Sequence, residues 1–186
     1  QSNMKRFLAF SSITQAGYIL IAVASGTSES MASVLYFLLI YIFSNVGAFT
    51  VVSIISDRTG KDDIDDYKGL YKTNPKLSLA MMIALLSLAG VPPTAGFFGK
   101  LFLLTSGASQ GLIVLLVIAS LNMVISLYYY LNVVRAMFVD KNETPIGNIS
   151  TDISAKIVLV ICVAGILTIG FINCIFEYIY SFSFGL

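Results

Sequence analysis

Lys100 is the residue in this chain whose sequence surroundings invite chemistry. It follows Ser87-Leu88-Ala89-Gly90-Val91-Pro92-Pro93-Thr94-Ala95-Gly96-Phe97-Phe98-Gly99 and precedes Leu101 and Phe102, inside a stretch apolar enough to lie in a bilayer. A charged, unpaired lysine at such a place costs roughly 2.5–3.5 kcal/mol even on insertion scales, so ionisable residues there mark ion pathways and proton relays. Burial disfavours an ammonium relative to the neutral amine, which makes Lys100 a candidate for taking up and releasing a proton. Gly96 and Gly99 leave room beside it for water or another helix. The competing reading is a lysine that snorkels: its apolar stem can carry the charge out to the headgroups at the near end of the stretch.

The residues before it favour the first reading. Pro92 and Pro93 remove two backbone donors and clash with the carbonyls behind them, so a continuous helix is not expected there. Interrupted helices persist in membranes only where protein or a wet cavity satisfies the freed backbone groups, and such breaks recur at ion-binding centres of transporters. Polar residues at helical spacing accompany it: Ser11, Gln15 and Tyr18 on one face, Tyr41 and Asn45 on a second, and Asn122, Ser126 and Tyr129 or Tyr130 on a third. Each such face serves by itself as interhelical glue, about 0.6 kcal/mol per hydrogen bond; together they outline a possible polar path to Lys100.

The elements that must hold these residues are helices in a membrane. The chain is 57% hydrophobic and 11% charged, with a mean hydropathy of +0.88, against roughly 25% charged residues in soluble domains. A net charge of +1 argues against nucleic acid. With no histidine, and Cys162 and Cys174 both in the last apolar run, no metal, haem or cluster site is expected. The cysteines read as packing residues. The acidic run Asp62–Asp66 lacks the glycine and glutamate of a calcium loop and reads as solvated. Glu177 reads as an interface residue. The polar start Gln1–Arg6 is not a secretory signal and suggests a chain entered partway.

Five stretches are long enough to span a bilayer, near 7–25, 31–56, 77–106, 111–137 and 156–180. The expected fold is an all-α membrane bundle of five transmembrane helices forming one domain, the third helix discontinuous at Gly90–Pro93. Lys5 and Arg6, then Arg58, Lys61, Lys68, Lys72 and Lys76, then Arg135, Lys141 and Lys156 all fall in loops on one side. The positive-inside rule makes that side cytoplasmic and leaves the C-terminus outside.

These residues resemble a known family. Lys5-Arg6-Phe7-Leu8-Ala9-Phe10-Ser11-Ser12, continuing Ile13-Thr14-Gln15-Ala16-Gly17-Tyr18, resembles a helix start of the antiporter-like subunits of respiratory complex I. Asp66-Tyr67-Lys68-Gly69-Leu70, Pro75, and the run from Ser87 to Lys100 look like their second broken helix. Asn122 to Leu131, with Arg135 and Met137, resembles the helix that follows. The matches span nearly the whole chain in order. A chain stopping soon after its last crossing fits the N and M types better than the L type, and the wording of Ser12–Tyr18 with Pro92-Pro93 is N-like.

The resemblance implies the C-terminal portion of a longer subunit with an inverted-repeat antiporter-like fold. It implies a proton-translocating role in NADH:quinone oxidoreductase, Lys100 as the protonatable lysine and Gly90, Pro92 and Pro93 as the break. Gln15 stands where many relatives of the N type have histidine, and is read as a polar spacer. NADH, FMN, iron–sulfur clusters and quinone are expected in other subunits, none in this chain. Implied partners are the other complex I membrane-arm subunits and the lipid bilayer, with the bacterial inner (plasma) membrane as location. Two alternatives stay open: a subunit of a multisubunit cation/proton antiporter, and a non-conducting membrane-arm scaffold.

Overall fold

The first helix, α1 (Met4–Ser25), begins where Asn3 accepts a hydrogen bond from the Arg6 amide, satisfying one of the orphan donors of a helix start. It ends at Gly26, whose φ of 64° is the left-handed turn glycine supplies without strain. Only Gly26 and Thr27 separate it from α2 (Ser28–Thr59), which Thr27 and Ser30 cap reciprocally. So short a connection makes the two helices antiparallel neighbours. At 32 residues, α2 is about 48 Å long, more than the roughly 30 Å hydrocarbon thickness. Its last turn therefore carries Asp57 and Arg58 beyond the apolar zone.

The computed structural model describes residues 1–171 and 174–184, and these are helical apart from turns and loops. After α2 come a 3-10 turn (Ile64–Tyr67), α3 (Leu70–Thr73), α4 (Pro75–Ala89) and α5 (Ala95–Ser109). The chain continues through α6 (Ile113–Phe138), α7 (Ile153–Phe171) and α8 (Cys174–Phe184). Four of these, α1, α2, α6 and α7, are long and apolar enough to cross a membrane. The stretch near 77–106, expected as one discontinuous crossing, is occupied by α4 and α5, 15 residues each, about 22 Å apiece and too short to cross alone. Within the stretch expected as one helix near 156–180, α7 is described as far as Phe171 and α8 from Cys174 onward.

The long α2 is the hub, packing against α1, α4, α5, α7 and α8. Small residues set its close approaches. Gly47 of α2 leaves room for Cys162 of α7, which is buried as a packing residue; the side chain of Cys174 lies outside the described residues. Gly99 of α5 lies against Phe37 and Ile40. By contrast α6 is peripheral, with Val117, Leu121, Val124 and Tyr128 exposed along it.

The charged segments gather at one end. Residues 2–4 pair with 62–64 through Met4 N to Asp62 O (2.7 Å) and Ile64 N to Ser2 O (2.7 Å). Lys5 reaches Asp62 (3.0 Å) and Arg58 reaches Asp152 (2.9 Å). Asn74 donates to Gly147 O and accepts from the Ile149 amide, tying the two long loops together. Hydrogen bonds from Lys5 and Ser56, with the Lys5 charge, hold the Asp62 carboxyl below its usual range. Tyr67 is fully buried there, and burial followed by the Asp62 and Asp66 charges pushes its hydroxyl up, so it stays neutral.

Candidate functional site

The end of α4 creates the site. Gly90, at φ 82°, closes the helix: its amide bonds to the Leu86 and Ser87 carbonyls, and the Val91 amide bonds to Leu86 O. That pattern uses the carbonyls three and four residues back and leaves Leu88 and Ala89 open. Pro92 and Pro93 have no N–H to offer them. An unpaired carbonyl in a water-free interior costs about 1–3 kcal/mol, so the two oxygens demand donors.

Lys100 supplies them. Its Nζ donates to Leu88 O at 2.7 Å and to Ala89 O at 3.2 Å, and the residue is 0% exposed. The side chain turns back from α5 toward the end of α4 instead of reaching outward, so it does not snorkel. Carbonyls at a helix C-terminus carry about half a negative charge, and the Tyr18 ring presents its face 4.8 Å from Nζ. Both favour a cation weakly. Among the described residues no carboxylate forms an ion pair with Lys100. The geometry therefore tolerates either protonation state: an ammonium keeps its two acceptors, and a neutral amine still has two N–H donors for them.

Close packing locks this arrangement. Lys100 Cδ would lie 3.0 Å from a Cβ on Gly90, and a Cβ on Gly96 would fall 1.8 Å from Ser87 O. At Gly170 of α7 a Cβ would come within 2.7 Å of Pro93 O. Gly96 and Gly170 thus let α5 and α7 meet the backbone of the break, while Gly90 leaves room for the Lys100 stem.

A second set of polar groups joins from α1 and α6. Gln15 Nε2 donates to Leu88 O (3.1 Å) and to the Tyr130 hydroxyl (3.2 Å). Ser11 Oγ and Tyr130 OH share a short hydrogen bond. The Tyr18 hydroxyl reaches Ala119 O at 3.5 Å and lies beside Ser126, whose own hydroxyl donates to Met123 O. Ser11, Gln15, Tyr18, Ser126 and Lys100 are all buried. The first three align because positions 11, 15 and 18 recur on one helical face.

Other expected residues lie elsewhere. Asn45 donates to Tyr41 (3.1 Å) on α2, a half-buried pair apart from the hydrogen bonds of the lysine cluster. Asn122 is exposed on α6 and is not part of the cluster. Four residues advance a helix by slightly more than a turn, so the face holding Ser126 and Tyr130 has rotated outward at 122. Pro92 and Pro93 are exposed while Gly90 touches Lys100. Sequence reasoning did not find the Leu88 and Ala89 carbonyls or the Ser44–Ser87 hydroxyl pair (2.7 Å) that fastens α4 to α2. It left Tyr129 and Tyr130 unresolved. Backbone acceptors have no side-chain signature; Tyr130 had one, its spacing of four from Ser126.

The family model described as NADH:quinone oxidoreductase/Mrp antiporter, transmembrane, matches residues 1–126. NADH-quinone oxidoreductase subunit N of Phocaeicola vulgatus is 51% identical over 178 residues, covering 95% of this chain and 38% of the relative. The same-named subunit of Azobacteroides pseudotrichonymphae is 48% identical over 187 residues, covering 100% and 39%. The chain thus spans about two fifths of the length of these curated relatives. Among solved structures, a chain of respiratory complex I from Thermus thermophilus with bound aureothin matches with a TM-score of 0.77 and 34% identity, over 91% of this chain and 38% of that one. A chain of the Mrp complex from Dietzia sp. matches with a TM-score of 0.87 at 19% identity, over 98% and 42%, a likeness of fold alone.

Proposed function

The chain belongs to the NADH:quinone oxidoreductase/Mrp antiporter transmembrane family, and from that premise we propose that it is a proton-translocating part of an N-type membrane subunit of NADH:quinone oxidoreductase. The carrying observation is the Lys100 amine, sealed from solvent and held by two backbone carbonyls, with no carboxylate among the described residues to fix its charge. In this reading Lys100 alternates between charged and neutral, and its occupancy follows charge movements in neighbouring membrane-arm subunits and hydration beside the break. Such a group shifts a two-state equilibrium only by as much as its interaction differs between the states. Acceptors that serve both states keep that difference small and reversible.

The same reading takes α4, the break and α5 as one discontinuous crossing, which gives five crossings within a single membrane domain. It puts the charged end in the cytoplasm and the C-terminal end outside, by the lysine and arginine count. NADH, flavin, iron–sulfur clusters and quinone belong to other subunits. Coupling to quinone reduction then comes through the assembled complex.

The test is Lys100→Met in the full-length subunit within its native complex, with assembly checked on a native gel. Loss of proton uptake into inverted vesicles, in an intact complex that still oxidises NADH, is the expected result. Native uptake would sink the proposal and leave the segment as scaffold. The fold likeness to the Mrp complex supports a second reading, a subunit of a cation/proton antiporter. Cation-driven proton exchange without any electron donor would favour it.

A further inference from the structure

Lys100 is closed off by its own bundle, so a proton arrives only along hydrogen-bonded groups. A cavity of about 700 Å³ lies between α1 and α6 at the charged end, lined by Ser11, Thr14, Tyr129 and Asn132 among others. At its rim, Lys68 pairs with Asp65 (2.7 Å) and Arg135 with Asp140 (3.4 Å). Ser11 belongs to both the cavity wall and the buried cluster: its Oγ is bonded to Tyr130 OH, which accepts from Gln15 Nε2, which shares Leu88 O with Lys100. Both N–H groups of Gln15 are committed in this way, yet its Oε1 is buried with no partner. A fixed, buried acceptor without a donor marks a place for an internal water.

We propose that this chain is the proton-access route of Lys100 from the charged end, with Tyr130 as its relay and one buried water on Gln15 Oε1 as its last link. The inference rests on the reading of Lys100 as a proton carrier. Gln15 cannot itself pass the proton, because an amide neither gains nor loses one near neutral pH; it holds the relay and the water in place. Inward transfer balances as follows. A hydronium in the cavity protonates the Ser11 oxygen, Ser11 passes its original proton to Tyr130, and Tyr130 passes its own to the buried water. The water gives one of its protons to the neutral Lys100 amine. Only O–H and N–H bonds form and break; the hydronium becomes water, the amine becomes an ammonium, and every group between is unchanged.

Two variants of the full-length subunit in the assembled complex test the route. Tyr130→Phe removes the hydroxyl and keeps the ring in its edge contact with Phe7, 5.7 Å between centroids. Ser11→Ala cuts the link one step earlier with almost no change in packing. Proton uptake into inverted vesicles is expected to fall about tenfold or more in each, on the modest side of the ~10²–10⁴-fold typical of a positioned proton-transfer group. The residual uptake is expected to slow further in D2O than it does in the unaltered complex, a change that a purely structural role would not produce. If Lys100→Met abolishes uptake while both hydroxyl variants pump at native rate with the native isotope effect, the route is wrong and the function of Lys100 stands. If Lys100→Met pumps normally, the reading beneath the route fails and the route fails with it. Should Tyr130→Phe not assemble, Ser11→Ala decides alone.

Discussion

Three weak acceptors surround Lys100 where one carboxylate would have fixed its charge: the Leu88 carbonyl, the Ala89 carbonyl and the face of Tyr18. Each contribution is modest. A cation over a tyrosine ring is worth about 0.5–2 kcal/mol depending on desolvation. Tyr18→Phe keeps the ring and is expected to change little in proton uptake, whereas Tyr18→Leu removes it and is expected to bias Lys100 toward the neutral amine, slowing uptake. Side-by-side vesicle assays of the two variants check this. Gln15→Leu deprives Tyr130 of a donor but leaves Leu88 O bonded to Lys100. A loss of about 1–2 kcal/mol in detergent unfolding is expected, the usual consequence of one buried hydrogen bond.

Among the elements, the α4–α5 junction stands out because it has no slack. Gly96→Ala places a methyl 1.8 Å from Ser87 O, which backbone cannot evade. A cost at or above the usual 1–3 kcal/mol of overpacking is expected, together with separation of α4 from α5. Gly17 of α1 is the control: nothing lies within 4 Å of its added Cβ, and alanine is favoured over glycine in a helix by about 1 kcal/mol. Gly17→Ala is therefore expected to leave the thermal midpoint of the assembled complex unchanged or raised, while Gly96→Ala lowers it by several degrees. Equal midpoints would mean that the junction is looser than drawn. The spacing of 11, 15 and 18 made the buried face of α1 legible in advance. The same reasoning put Asn122 with Ser126, and the structure turns it outward, because spacing gives a relative angle and never says which face meets the neighbour.

For the whole molecule, the charged end is a mesh of exposed ion pairs and short backbone pairings. Exposed pairs contribute little each, about 0–1 kcal/mol, so Arg58→Ala is expected to be nearly silent in unfolding experiments. Asp62 behaves differently with pH. Its carboxyl is held below the usual range in the fold, so its contribution is present above the unfolded value near 3.9 and is lost as pH falls through the lower folded value. Asp62→Asn is expected to weaken the protein at neutral pH and to match it in strong acid, as read from unfolding midpoints across pH. Orientation has its own check. With the native cysteines of the subunit replaced, Lys72→Cys is expected to react with an impermeant thiol reagent in inverted vesicles, and Glu177→Cys only in right-side-out ones.

That the protein is helical and membrane-bound follows from the amino-acid sequence, because uninterrupted apolar runs of about 20 residues satisfy their backbone in lipid as helices. The sequence also singled out Lys100, since an ionisable side chain in such a stretch is costly wherever it points. Where the amine goes depends on how the helices pack. Gly90 frees two carbonyls, Gly96 and Gly170 let three helices close on them, and Lys100 turns inward to donate to both, sharing Leu88 O with Gln15. Tyr130 joins the cluster for the same kind of reason: α6 packs on α4 and α1 at that height and not at Asn122. Periodicity fixes angles within a helix, but contacts between helices depend on which small residues permit backbones to approach.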